Sequence, residues 1–249
     1  MNVANVNDQY FDGHYKEIWK AIIPDLLTER EINFILSYFS LQQGNDVLDL
    51  MCGYGRHALA LGRKGINVTA VDNLPAYIEE IKATIAKEYL PIEAITGGVL
   101  DFIPQKKYKL AMCMGNSLNF FNAKQTFSLL STIAQALTPG GHLLINSWSV
   151  AEIVFRNFQE SGESTIDGKV FVNNSKILFH PTRMESESII TTDNGVTESK
   201  LAIDYIFSIN ELEQMLTAAG LVVKEMFSIP GKKHFTLGEP RLYLVAQKP

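Results

Sequence analysis

The sequence predicts an α/β protein built on a doubly wound, Rossmann-like sheet. Predicted strands alternate with predicted helices over residues 45–148, the order that gives a parallel sheet with helices on both faces. The segments LVVKEMF and RLYLVAQ near the C-terminus are expected to form a closing hairpin. We therefore predict an N-terminal helical lid at 1–40, a Rossmann-like domain at 41–160 and 208–249, and a β insertion at 161–207.

The N-terminal region predicts two helices that are rich in aromatic residues. Helical spacing runs through residues 7–40 and is interrupted at Pro24. Thr28 and Glu31, in the sequence T-E-R-E, have the S/T-x-x-E spacing of a capping box, so we expect the second helix to begin there. The aromatic density suggests a lid that excludes water from a site beneath it.

Residues 47–72 predict a β-α-β unit with a glycine turn. An apolar strand, VLDL, is followed by Gly53 and Gly55, and a second strand, VTAV, ends at Asp72. Glycine lets the backbone approach a ligand closely, and the helix after the turn offers free N–H groups. Asp72 follows Gly53 by 19 residues, where a carboxylate can hold both hydroxyls of a ribose. This unit indicates a site for a nucleoside cofactor.

Further strands are predicted at 92–96, 109–114 and 142–148, and the unbroken apolar run LAMCM indicates burial on both faces. The pattern changes in the β insertion, where D-N-G at 193–195 is a hairpin signal. Apolar residues then alternate with polar ones, and we expect the main domain or a second copy to cover this apolar face, because a hairpin is unstable alone. The alternating residues are Leu201, Ile203, Tyr205 and Phe207.

Two classes of cofactor compete for the glycine turn. The sequence G-Y-G-R-H-A at 53–58 matches the dinucleotide fingerprint G-x-G-x-x-G/A. However, Met51 and Cys52 separate the first glycine from the strand, and Asp49 places a carboxylate at the end of that strand, beside the glycine turn. A negative charge there repels a diphosphate and suits a ligand that carries an ammonium group.

The pattern D-L-x-C-G-x-G-R-H-A, with Asp72 downstream, resembles motif I of the class I S-adenosylmethionine (SAM) dependent methyltransferases. The resemblance covers about residues 45–150 and 208–249. It implies SAM as the cofactor and a seven-stranded sheet whose last strand is antiparallel, which the closing hairpin fits. An NAD(P)-dependent oxidoreductase and a non-catalytic SAM-binding protein remain as alternatives.

The resemblance also implies which residues bind SAM. In that family the glycine turn holds the methionine part, the acid after the second strand holds the ribose, and the loop after the third strand encloses the adenine. The end of the fourth strand contacts the amino end of SAM through carbonyls. The corresponding residues are Asp49, Cys52, Gly53 and Gly55; Asp72 and Asn73; Val99, Leu100 and Asp101; and Met114 and Gly115. Gly98 departs from the family pattern, in which an aspartate is common, so Asp101 is the nearest acid.

The methyl acceptor is expected to be a small molecule. The sequence after the fourth strand, GNSLNFF, lacks the D/N/S-P-P-Y/F motif of enzymes that methylate base amino groups. The resemblance is nearest to enzymes acting on amines or hydroxyls, such as those of amino sugars or natural products. No catalytic residue is assigned, because an amine can attack unaided whereas a hydroxyl needs a base. Candidate acceptor contacts are Tyr10, Tyr15, Trp19, Asn119 and Trp148, with His14 nearby and His234 expected on the surface.

Composition and charge limit the ligands, the partners and the compartment that we expect for this protein. A net charge of −5 and a pI near 5.6 argue against a nucleic-acid substrate, which needs a basic surface. No apolar run reaches membrane-spanning length, and the N-terminus does not resemble a secretory signal. Two cysteines, without metal-ligand spacing, indicate a reducing compartment and no metal site. We expect a cytoplasmic protein without a membrane partner, as a monomer or a homodimer.

Overall fold

A computed structural model of the protein describes residues 5–249. The helices are α1 Gly13–Ile22, α2 Asp25–Tyr38, α3 Arg56–Gly62, α4 Pro75–Glu88, α5 Ala123–Ala136, α6 Ala151–Asn157 and α7 Ile209–Ala218, with short 3-10 turns at Val6–Gln9 and Ser117–Phe120. The strands are β1 Asp46–Leu50, β2 Asn67–Asp72, β3 Ile92–Thr96, β4 Tyr108–Cys113, β5 Leu137–Ser147, β6 Ser161–Ile166, β7 Lys169–Leu178, β8 Arg183–Thr191, β9 Thr197–Tyr205, β10 Val222–Ile229, β11 Lys233–His234 and β12 Leu242–Gln247.

The central sheet confirms the predicted Rossmann-like fold. Its strand order is β11-β10-β12-β5-β4-β1-β2-β3. The neighbours from β5 to β3 are parallel, whereas β12 is antiparallel to both β5 and β10. The closing hairpin therefore inserts the last long strand between two others, and the two-residue β11 only extends the edge.

The carboxyl ends of β1, β2 and β4 meet at one edge of this sheet. Asp49 on β1 lies opposite Ala70 on β2 and Met112 on β4. Successive parallel strands need a crossover, and helices α3 and α4 return the chain so that each strand ends at the same edge. The loops that carry the predicted site residues are consequently neighbours in space.

Helix α2 begins earlier than predicted. It starts at Asp25, so Thr28 and Glu31 lie inside the helix and the predicted capping box is wrong. Both side chains instead accept hydrogen bonds from the guanidinium of Arg56, with 3.1 Å from Nη1 to Thr28 Oγ1. Thr28 and Glu31 therefore bind Arg56, which is distant in the sequence, instead of capping the helix.

The insertion is a separate antiparallel sheet in the order β6-β7-β8-β9, and α1 packs on one of its faces. The expectation that the alternating apolar residues form the covered face is wrong for β9. Leu201 is 57% exposed, and the buried residues of that strand are Ala202 and Asp204 on the opposite face. Period-two alternation shows that a strand has two different faces, but which face is buried depends on the segment that packs against it. Here the N-terminal segment packs on the face that carries Ser188, whose hydroxyl pairs with that of Tyr10.

None of the helices within residues 5–249 combines the length and the apolarity needed to cross a bilayer. The predicted lid at 1–40 extends into residues 1–4, which lie outside the described part of the chain. The predicted division into lid, main domain and insertion stays a prediction.

Candidate cofactor and acceptor site

A cavity of about 510 Å³ opens at the carboxyl edge of the central sheet. The structure brings nearly all of the predicted cofactor residues to its walls: Asp49, Cys52, Gly53, Asp72, Asn73, Val99, Leu100, Asp101, Met114 and Gly115. Asp49 and Asp72 lie on β1 and β2, and the loops after β1, β2, β3 and β4 supply the others. Residues that are separated by up to 66 positions in the sequence therefore surround one space, because parallel strands end at a common edge.

Gly55 is the predicted cofactor residue that is absent from the cavity lining. It precedes α3 with a φ of 78°, and a Cβ there would lie 2.7 Å from the side chain of Ile81 on α4. Gly55 therefore allows the turn and the close packing of α4. Gly53, with a φ of 56°, has open space around a hypothetical Cβ and borders the cavity directly.

Asp49 is a buried carboxylate at the floor of the cavity. It is 1% exposed, and its Oδ2 atom has no hydrogen-bond partner within the described residues. Burial raises the pKa of Asp49 to about 7, although the positive charge of Arg56 acts in the opposite direction. A buried oxygen without a donor is costly, so a ligand that brings an N–H or a positive charge would stabilise this site.

Asp72 is held in place by the backbone around it. Its Oδ2 accepts a hydrogen bond from the N–H of Gly53 at 2.8 Å, and its Oδ1 accepts one from Leu74 at 3.0 Å. Burial raises the pKa of Asp72, and these backbone hydrogen bonds partly offset the increase. Each carboxylate oxygen has a second lone pair, which remains available to the hydroxyls of a ribose.

The N-terminal segment forms a roof over the cavity that sequence reasoning located only coarsely. Asn5, Asn7, Asp8, Phe11 and Trp19 line the cavity from this side. The roof is tied to the main domain, since the side chain of Asn73 donates to Asp8 at 2.8 Å and the hydroxyl of Tyr77 donates to the carbonyl of Phe11. The many aromatic residues of this segment predicted a lid, but they did not predict these hydrogen bonds to the main domain.

The predicted acceptor contacts divide into two groups. Trp19 lines the cavity and lies over Gly115, where a Cβ would be 3.7 Å from its ring. Trp148 lies behind it, with 6.0 Å between the ring centroids, and Tyr15 stacks on Trp19 at 6.4 Å.

Of the five predicted acceptor contacts, Trp19 borders the cavity, whereas Tyr10, Tyr15, Asn119 and Trp148 lie outside its lining. Tyr10 is buried against the insertion, and its hydroxyl is 2.8 Å from Ser188 Oγ. Asn119 donates to the carbonyls of Ser149 and Tyr205, which joins the end of β5 to β9. His234 is exposed on β11, as expected.

Sequence reasoning missed a buried network centred on Glu31. This carboxylate is 2% exposed and accepts from His57 Nε2 at 2.9 Å, from the hydroxyl of Tyr243 at 2.7 Å and from Arg56. Burial raises the pKa of Glu31, but His57 and Arg56 outweigh this effect and hold it at about 2. Arg56 and His57 line the cavity, so α2 and β12 support the first turn of α3 from outside the glycine motif.

Comparison with known proteins agrees with this geometry. Residues 47–141 match the family model of a methyltransferase domain. The chain is also 28% identical over 214 residues to the carboxy-S-adenosyl-L-methionine synthase of Erwinia tasmaniensis, an alignment that spans 80% of this chain and 83% of that protein. The comparisons therefore support the predicted resemblance to the class I SAM-dependent methyltransferases.

Solved methyltransferases have the same fold as this chain. The CcbJ methyltransferase from Streptomyces caelestis superposes with a TM-score of 0.82, 17% identity and 98% coverage of both chains. SAM-bound CalS10 from Micromonospora echinaspora, an amino pentose methyltransferase, superposes with a TM-score of 0.70 and 18% identity over 96% of this chain and 98% of that one. These structures show that the fold is shared, the matched methyltransferase domain supports SAM as the cofactor, and the oxidoreductase alternative has no support.

Proposed function

We propose that the cavity binds SAM and that the protein transfers its methyl group to the amine or hydroxyl of a small molecule. The observation that carries the proposal is the buried Oδ2 of Asp49, which has no hydrogen-bond partner among residues 5–249, together with a second, anchored carboxylate, Asp72. SAM has a positive charge on its ammonium group and another on its sulfur, together with a ribose diol. The two carboxylates suit these groups, whereas they would repel the diphosphate of a dinucleotide.

The cavity residues suggest an orientation for SAM. In the proposed orientation the ammonium group faces Asp49 and the glycine turn at Gly53, and the ribose hydroxyls face Asp72 and Asn73. The adenine lies among residues 99–101, and the carbonyls of Met114 and Gly115 face the amino end. All of these residues line the same cavity, which supports one continuous binding site.

The chemistry requires alignment and the exclusion of water more than a catalytic group. SAM supplies a methyl group on a sulfonium, which is an excellent leaving group. The protein must hold the acceptor atom in line with that methyl group and keep water out. The roof contributes Phe11 and Trp19 to the cavity, and these apolar rings would enclose the reacting atoms.

Several observations support a small acceptor. The net charge of −5 does not favour nucleic acid. The structural neighbour CalS10 is described as an amino pentose methyltransferase, which places amino sugars among the acceptors to test first. We keep the prediction of a cytoplasmic protein, as a monomer or homodimer.

Calorimetry and product analysis test the proposal. SAM should bind with 1:1 stoichiometry and NADH should not, and SAM should yield S-adenosylhomocysteine together with a methylated acceptor from a panel of amines, amino sugars and alcohols. Mass spectrometry should also follow SAM itself, because one relative is described as a synthase of a carboxylated SAM. Asp49→Asn should weaken SAM binding, and Asp46→Asn, at the exposed start of the same strand, is the matched control. Failure to bind SAM, or consumption of SAM without methyl transfer, would contradict the proposal.

A further inference from the structure

Arg56 carries the only guanidinium or ammonium group in the cavity lining within residues 5–249. The same lining contains four carboxylates, those of Asp8, Asp49, Asp72 and Asp101. His57 also borders the cavity, but burial lowers its pKa and keeps the ring neutral near pH 7. A ligand with a negatively charged group therefore meets one cation in this cavity.

The guanidinium of Arg56 is held from the side of α2. Its Nη1 atom donates to Thr28 Oγ1 at 3.1 Å and to the carboxylate of Glu31, which is buried. The side chain of Arg56 itself is 13% exposed. Two hydrogen bonds from one nitrogen fix the plane of the guanidinium, so its remaining donors have a defined direction.

The other edge of this guanidinium has no acceptor in the described chain. The hydrogen bonds of Arg56 to residues 5–249 all start from Nη1, so Nε and Nη2 have no partner there. Both atoms are also open to solvent, because the fully buried side-chain atom without a partner in these residues is Oδ2 of Asp49. Since Arg56 lines the cavity, its unused donors are accessible to a ligand.

Nε and Nη2 form the edge of a guanidinium that binds a carboxylate through two parallel hydrogen bonds. Arg63, at the other end of α3, has this geometry. Its Nε and Nη2 donate to the two carboxylate oxygens of Glu88 at 2.7 and 2.8 Å. Arg56 therefore offers a ligand the same carboxylate-binding edge that Arg63 offers Glu88.

Arg56 lies within electrostatic range of Asp49. Burial raises the pKa of Asp49 to about 7, and the charge of Arg56 acts in the opposite direction. The two residues flank the glycine turn, since Asp49 lies on β1 and Arg56 is the first residue of α3. This part of the cavity thus combines an acceptor that lacks a donor with donors that lack an acceptor. The amino acid group of SAM is complementary, because it has an ammonium and a carboxylate on one carbon.

Other polar side chains of the lining are engaged elsewhere. The amides of Asn5, Asn7 and Asn73 each donate to another protein oxygen at 2.8 Å. The hydroxyl of Tyr77 donates to a backbone carbonyl. These donors are also uncharged, and a hydrogen bond from a neutral donor is weaker than one from a guanidinium. Arg56 is therefore the donor that combines charge with unused N–H groups.

We propose that Arg56 binds the carboxylate of SAM and makes the site select SAM over its decarboxylated form. The proposal rests on the proposed function and adds a specificity-determining residue to that site. Decarboxylated SAM has the same sulfonium, ammonium and adenosine groups but no carboxylate, so its net positive charge is greater by one. The four aspartates by themselves favour this more cationic ligand. Arg56 reverses that preference, since it pairs with the carboxylate that only SAM carries.

The test is a thermodynamic cycle. Calorimetry measures the affinities of SAM and of decarboxylated SAM for wild type and for Arg56→Gln, and we expect wild type to bind SAM more tightly. In Arg56→Gln the affinity for SAM should fall by about 30-fold, because a charge-assisted bidentate pair is lost. The affinity for decarboxylated SAM should stay within about threefold of wild type, so the preference for SAM should fall at least about tenfold.

Three further variants separate recognition of the carboxylate from other effects. Arg63→Gln, at the exposed end of the same helix, should leave both affinities unchanged. Asp49→Asn should weaken both ligands alike, because both carry the ammonium group. Arg56→Lys keeps the charge without the two parallel donors and should lose less affinity for SAM than Arg56→Gln. If urea unfolding shows that Arg56→Gln does not fold, the ligand preferences of wild type and of Arg56→Lys decide.

Three results would overturn the inference: wild type binds decarboxylated SAM as tightly as SAM, Arg56→Gln binds SAM as tightly as wild type does, or Arg56→Gln loses the same factor for both ligands. The last result would give Arg56 a structural role only. Failure of the proposed function is distinguishable, since wild type would then bind neither ligand or would transfer no methyl group.

Discussion

The carboxylate of Asp72 accepts a hydrogen bond from the backbone N–H of Gly53 at 2.8 Å, across 19 residues of sequence. The bond ties the end of β2 to the glycine turn after β1. It means that the turn and the carboxylate are positioned together, before any ligand arrives. Preorganisation of this kind reduces the free energy that binding must spend on ordering the site.

Asp72→Ala should lower the affinity for SAM at least about tenfold, because charge-assisted hydrogen bonds to the ribose are lost. The variant should also unfold at lower urea concentration, since the N–H of Gly53 loses its partner. Isothermal calorimetry and urea unfolding measure the two effects, and Asp46→Ala, on the exposed end of β1, is the control. Unchanged SAM affinity in a folded variant would remove Asp72 from the binding site.

The ionisation of Asp49 should make both stability and SAM affinity depend on pH. Its pKa in the folded protein is about 7, above its usual value, so the folded state binds a proton that the unfolded state releases. The contribution of Asp49 to stability therefore falls as the pH rises from about 4 to about 7. SAM, which is cationic, should favour the ionised form and bind more tightly as the pH rises through 7.

Asp49→Asn isolates this effect from that of Asp204, whose pKa is also about 7. The difference in melting temperature between Asp49→Asn and wild type without SAM should grow in favour of the variant from pH 5 to pH 8. The rise of SAM affinity with pH should be smaller in the variant. Parallel stability curves for the two proteins would show that Asp49 does not titrate in this range.

Glu31→Gln should destabilise the protein by about 3 kcal/mol, the typical cost of removing one partner from a buried ion pair. The acceptor that Arg56 and His57 share would lose its negative charge, so SAM affinity should fall as well. The pKa of Glu31 is about 2 when folded, below its usual value, so its contribution is present above about pH 4.5 and is lost as the pH falls towards 2. Urea unfolding at pH 7 and at about pH 2 measures the difference.

Glu29→Gln, exposed on the same helix, is the control for this measurement. A Glu31→Gln protein that is as stable as Glu29→Gln, and binds SAM equally well, would show that the network is dispensable.

The roof should become more protected from hydrogen exchange when SAM or S-adenosylhomocysteine binds. Residues 7–20 contact the cavity, and α1 is joined to α4 by ion pairs from Lys16 and Lys20 to Glu80. These exposed pairs are individually weak, so the segment can open to admit the cofactor. Mass spectrometry of exchanged peptides measures the change, with α7, which has no residue in the cavity lining, as the internal reference. Equal protection with and without the cofactor would define the roof as a fixed element.

The meeting of the predicted cofactor residues at one edge of the sheet could be predicted from the sequence because its determinants are local. The turn at Gly53, the acid at Asp72 and the strands before them lie within 26 consecutive residues, residues 47–72. Apolar periodicity places both strands in one parallel sheet, and the sheet brings their ends together whatever the rest of the chain does. The loop residues 99–101 and 114–115 follow by the same rule.

The buried polar contacts around the cavity were decided only by the tertiary structure. Asp204 meets Asn116 across 88 residues, and Glu31 meets Tyr243 across 212. Alternation in β9 indicated a strand but suggested the wrong covered face, and T-E-R-E suggested a cap where Arg56 takes both side chains. Local patterns record which backbone conformation a segment prefers. The partner of a polar side chain depends on which distant segment packs against it. Which segments pack together depends on how the whole chain buries its apolar surface, and a local pattern does not contain that information.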